Sequence, residues 1–216
     1  MKRANLILLS IVSLAVVIYN TWWIYSNNLP PTWDDAWHLM SSMRYYFILT
    51  HPGLNMFEQM IQVDWYYPPF IKFSTAFVYM VLGVSVQSAI FTNIIYFLIL
   101  FFSTYYIGCR LFNQETGVLA ALLISLYPAT QSMIKWYNLD FGMTALVALC
   151  IALLLKSNCF ENTKYSLLFG IFAGFALLAK WYAAIYLAIP ILWSFYESQK
   201  EKVATTSEDR TKIEKT

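Results

Sequence analysis

The chain has 216 residues, 59% of them hydrophobic and only 12% charged, with a formal net charge of +2. Soluble domains carry about a quarter charged residues, so this composition excludes a water-facing globular domain and points to apolar runs that lie in a bilayer. The basic residues are scattered, which excludes a nucleic-acid footprint, and Cys109, Cys150 and Cys159 have no CxxC spacing, so neither a zinc site nor a disulfide framework is expected.

The first apolar run, 6–25, follows Lys2 and Arg3 and reaches about 30 Å as a helix, enough for the hydrocarbon core. It closes on Thr21-Trp22-Trp23-Ile24-Tyr25, an aromatic belt where a signal peptide would carry small residues, and so reads as an uncleaved anchor. A polar, aromatic loop over 26–69 follows; connections of that length in a compact protein are usually functional. Further apolar runs lie at 70–84, 88–107, 116–129, 139–155 and 165–196, the last interrupted by Lys180. The charged segment 197–216 is predicted to be a disordered cytoplasmic tail behind a transmembrane module over 1–196.

Segment 70–84 decides the topology, because as a helix it spans about 22 Å against a core of about 30 Å. Placed in the interface, with the last run turning at Lys180, it puts Lys2, Arg3, Arg110, Lys156, Lys164 and the basic residues of the tail on one face. The other face then holds only Arg44, Lys72, Lys135 and Lys180. As a span it would leave the basic excess outside, against the positive-inside rule. The expected fold is therefore an all-α integral membrane protein of about six transmembrane helices, with interfacial helices in an extracytoplasmic first loop and both termini in the cytoplasm. The same choice gathers Asp34, Asp35, the turn before Asp140 and Lys180 on the outer face.

Four segments there carry chemistry. Pro30-Pro31-Thr32-Trp33-Asp34-Asp35 places two carboxylates at a helix start, with Thr32 as N-cap. They either favour the helix dipole or supply a general base to an acceptor hydroxyl. Tyr66-Tyr67-Pro68-Pro69-Phe70 is a stiff corner whose tyrosines can line a site. In Trp136-Tyr137-Asn138-Leu139-Asp140 the carboxylate either caps a helix or pairs with a cation. Lys180 either snorkels at a span end or holds a phosphate. His38 and His51 have no Cys or His at ligand spacing, so no metal is expected.

Taken in order, Asp34-Asp35, Tyr67-Pro68-Pro69-Phe70, Leu82-Gly83, Leu139-Asp140, Gly174 and Ala179-Lys180 make the chain similar to the GT-C superfamily. The resemblance is closest to the protein-mannosyltransferase-like glycosyltransferases of family 39 and to bacterial lipopolysaccharide glycosyltransferases of the Rgt type. It covers 6–196, the N-terminal module of longer members. It implies transfer of a sugar, with inversion, from a polyprenyl or dolichyl phosphate to a lipid, glycan or protein acceptor at the outer face of the cell membrane, without metal or other cofactor. Asp34 takes the position of the base, with Asp35 beside it; Asp140 matches the second acidic position and Lys180 the phosphate-binding lysine. Tyr67 stands where many members have a basic residue, so the phosphate falls to Lys180, Lys72 or Arg44, with Tyr67 and Tyr137 in the same donor-binding set. The implied partners are the lipid-linked donor, the bilayer, a sugar acceptor and a second polypeptide supplying a C-terminal half. A transporter or flippase of lipid-linked sugars and a non-catalytic assembly subunit are the alternatives.

Overall fold

A computed structural model describes residues 3–28 and 30–213, with side chains over 5–28 and 30–200. These residues form ten α-helices: α1 (Arg3–Ser26), α2 (Trp33–Thr50), α3 (Met56–Gln62), α4 (Phe70–Leu82), α5 (Val86–Leu111), α6 (Gln114–Leu126), α7 (Pro128–Ile134), α8 (Leu139–Lys156), α9 (Thr163–Ala179) and α10 (Ala183–Ile213). Among the described residues there is no strand, so the expected all-α class is observed.

By length and hydropathy α1, α5 and α8 can each cross a bilayer. A fourth crossing is added if α6 and α7 are one broken span, bent by 57°. The break follows from Pro128: the preceding Tyr127 leaves the helical region, as residues before proline do, at φ −62 and ψ 127. Gln131 repairs the lost ladder by donating from Nε2 to the Ser125 carbonyl at 2.5 Å. The run 165–196 divides at Lys180, which ends α9 in an extended conformation. Helix α10 then continues to Ile213, through most of the charged segment that composition predicts as disordered.

The core is the packing of α5 against α8 and α6, with α9 on α8 and α1 along α5. Phe97, Phe101, Leu139, Phe141, Ala145, Leu146 and Cys150 are buried there. Residues 70–84 form only the short α4, which α2 covers on one side and which contacts α5, α8 and α9. Its Ser74 hydroxyl lies 2.7 Å from that of Tyr96, its Phe70 ring stacks on Phe175 at 4.5 Å, and Ile71 fills the space beside Gly142.

Buried amides hold the connections at that end. Asn93 donates to the carbonyls of Met133, Ile134 and Trp136 at 3.2, 3.4 and 2.8 Å, fixing the α7–α8 turn on α5. Asn20 donates to Gln131 Oε1 at 3.1 Å and ties α1 to the same place. The end of α1, the α7–α8 turn, the α9–α10 break and the helices of the first loop therefore meet at one end of the bundle.

Candidate active site

Helix α2 begins after Thr32, whose hydroxyl donates to Asp35 Oδ2 at 2.8 Å and so pairs with that side chain instead of capping a backbone amide. Successive helical residues point about 100° apart. Asp35 is accordingly buried at 8% exposure, facing the end of α1, while Asp34 is exposed. Burial pushes the Asp35 carboxyl above its usual range, opposed by the Thr32 hydrogen bonds and reinforced by the neighbouring Asp34 charge.

The stretch before α4 is organised by Asp64, a residue that the sequence reading does not single out. Its Oδ1 accepts from the amides of Tyr66 and Tyr67, each at 3.1 Å, an Asx-type turn that presents the tyrosines ahead of the two prolines. Its Oδ2 accepts from the Trp37 indole at 3.1 Å and from Lys72 Nζ at 2.5 Å. Lys72 also donates to the Tyr67 carbonyl at 3.1 Å, and both side chains of the ion pair are fully enclosed. Burial alone would raise the Asp64 carboxyl, but Lys72 and the two amides outweigh it and hold it below the usual range. The Asp followed within two residues by amides entering a Pro-Pro corner was the available signal, and the aromatic neighbours obscured it.

The expected residues divide into two sets. Lys180 donates to Asp140 Oδ1 at 2.7 Å and lies 5.4 Å from the Tyr182 ring centre, so the two motifs, forty positions apart, meet. Tyr67 feels both the Asp34 and the Lys180 charge; burial first, then Asp34, pushes its hydroxyl above the ordinary value. Asp34 and the Lys180–Asp140 pair thus lie within electrostatic reach of Tyr67. The other residues are engaged elsewhere. Lys72 is committed to Asp64, and Tyr137 is buried with its hydroxyl 2.7 Å from Ser42 and 2.8 Å from Thr75, pinning α2 to α4. Arg44 lies about 15 Å along α2 from Asp34, over the Met40 sulfur at 3.8 Å.

His38, one turn beyond Asp34, joins these residues although its sequence context is bare. Its ring meets Tyr67 edge-on at 4.7 Å. Burial chiefly, then the Lys72 charge, lowers its pKa to about 4, with Asp64 and Asp34 opposing and Lys180 assisting. Tyr45, Met60, Ile61, Pro69, Phe70, Phe73, Phe175 and Leu178 line an almost wholly apolar groove.

A helical bundle with three or four candidate membrane crossings, polar side chains and an apolar groove defines an all-α protein of membrane type. The chain belongs to the dolichyl-phosphate-mannose-protein mannosyltransferase family, whose sequence model matches residues 67–206, well over half its length. It is therefore grouped with membrane glycosyltransferases that use a lipid-linked sugar. No curated protein and no solved structure matches the chain.

Proposed function

We propose that this chain transfers a sugar from a polyprenyl or dolichyl phosphate to a hydroxyl acceptor at the outer membrane face, by the inverting chemistry of GT-C enzymes. The observation that supports the reading is that Lys180 pairs with Asp140 and that the charges of Lys180 and Asp34 both act on Tyr67, while Pro69 and Leu178, two residues from Tyr67 and Lys180, line an apolar groove. The groove suits the isoprenoid chain, and Lys180, two residues beyond Leu178, suits the phosphate. Asp34 accepts the acceptor's proton; the freed oxygen attacks the anomeric carbon, whose bond to the phosphate oxygen breaks, and the lipid phosphate leaves with the electron pair. Lys180 stabilises the charge that develops there, a role that needs no metal.

In this reading α1, α5, α6 with α7, α8, α9 and the apolar half of α10 are six spans. Helix α4 stays at the outer end, and both termini lie in the cytoplasm of a cell whose plasma membrane holds the chain. The basic residues Arg110, Lys156 and Lys164 then fall on the inner side, as positive-inside asymmetry asks. The test is sugar transfer from radiolabelled polyprenyl phosphate-sugars by membranes containing the chain, with Asp34→Asn beside it. Transfer that the substitution abolishes supports the reading. No transfer from any donor by well-expressed wild type, or full transfer by Asp34→Asn, overturns it.

A further inference from the structure

His38 is 95% enclosed, its exposure being 5%, yet among the described residues neither ring nitrogen has a hydrogen-bond partner. Nδ1 is buried without a partner, and Nε2 is not among the buried, unpartnered atoms, which leaves it as the nitrogen open to a ligand. A walled-in N–H without an acceptor is rarer and less tolerable than a walled-in lone pair, which places the proton of the neutral ring on Nε2. Burial chiefly keeps the ring uncharged; of the charges that face it, Lys72 from α4 and Lys180 from the α9–α10 turn assist, and Asp64 from the preceding loop and Asp34 from its own helix oppose. The site therefore holds a desolvated, uncharged N–H donor beside Tyr67 and one turn from Asp34.

We propose that His38 is a binding residue for the sugar being transferred, donating from Nε2 to one of its hydroxyls. The proposal rests on the glycosyltransferase reading and deepens it. The order of the site favours the sugar over the phosphate. Pro69 and Leu178 line the apolar groove, Tyr67 and Lys180 lie two residues from them in the chain, and the His38 ring packs against Tyr67. A lipid, a phosphate and a sugar are joined in that same order. An uncharged donor also suits a hydroxyl, since the phosphate charge is already met by an ammonium.

The experiment measures equilibrium binding of two kinds of ligand to the full chain in lipid nanodiscs: polyprenyl phosphate carrying mannose, glucose or arabinose, and bare polyprenyl phosphate. His38→Phe keeps a ring against Tyr67 and removes both nitrogens; His38→Gln restores an N–H near the Nε2 position. The expected result is that His38→Phe weakens at least one sugar-bearing lipid about ten-fold, as loss of one buried hydrogen bond does, while bare polyprenyl phosphate binds unchanged. His38→Gln should recover most of the loss. Equal weakening of both kinds of lipid, or no weakening of any, overturns the proposal. Wild-type protein that binds neither kind overturns the donor reading itself, an outcome distinguishable from the other two.

Discussion

Lys180 Nζ lies 2.7 Å from Asp140 Oδ1, joining the break between α9 and α10 to the first turn of α8. With side-chain exposures of 16% and 47%, the pair adds at most about 1 kcal/mol to stability. A cation placed at the site's rim for so little structural return is better explained by its chemistry. Lys180→Met is expected to leave the melting temperature near wild type and to lower sugar transfer by roughly 10²–10³-fold, the usual effect of removing one charge-stabilising donor. Initial rates measured beside thermal unfolding check this; a parallel collapse of both would mark Lys180 as structural.

The two adjacent carboxylates should separate cleanly. Asp34 is exposed and stands as the base in the proposed reaction, so Asp34→Asn should cost about 10²–10⁴-fold in rate with little change in stability. Asp35 is buried and accepts from Thr32, so Asp35→Ala should chiefly lower the melting temperature. Rates and unfolding curves for the two variants decide the assignment, and a reversed pattern would move the base to Asp35.

Asp64 and Lys72 form the enclosed pair beneath the Pro-Pro corner. Removing one partner strands the other's charge, so Lys72→Met or Asp64→Asn alone should destabilise by about 3–5 kcal/mol. The double variant should recover a large part of that, because two matched apolar or neutral groups no longer bury a lone charge. A double-mutant cycle on thermal or denaturant unfolding gives the coupling directly. Additive losses would show that the pair does not act as a unit.

That pair also shows what the sequence could and could not reveal. Apolar runs and the positive-inside count locate the anchor, the turn at Lys180 and the short helix at 70–84, because bilayer thickness constrains length so strongly. The meeting of Lys180 with Asp140 follows from putting both at the same membrane face. Nothing in residue type, however, shows that Lys72 is fully enclosed with a carboxylate eight positions earlier whereas Lys180 keeps part of its side chain exposed. Lys72 and Tyr137 read from sequence as ligands, and the structure gives them the partners Asp64, and Ser42 and Thr75. His38 failed the opposite way: it has no sequence partner, and its meaning lies in Tyr67 folding against it.

His38 makes stability sensitive to mild acid. The unfolded ring takes its proton near pH 6.5 and the folded ring only near 4, so between these values protonation favours the unfolded chain. Stability is expected to fall as pH drops from about 6.5 toward 4. The raised Asp35 carboxyl has the opposite sign, its contribution being present at low pH and lost as pH rises through the carboxylate range. The difference between wild type and His38→Phe in melting temperature across this range isolates the histidine. Parallel curves would show that His38 is not held neutral.

At the far end of the bundle the packing is of another kind. A Cβ on Gly108 would sit 2.7 Å from the Gly117 Cα, and one on Gly117 would sit 2.7 Å from the Tyr105 carbonyl oxygen, so α5 and α6 touch backbone to backbone. Their junction joins residues only nine apart in the chain. The polar end draws on Asp34, Asp64, Asp140 and Lys180, which leave a ribosome far apart in time. During vectorial insertion the α5–α6 hairpin can close once its second helix has emerged, whereas Asp140 must wait for α9 to deliver its counter-ion. Biosynthesis thus completes the glycine-packed end early and the polar end last.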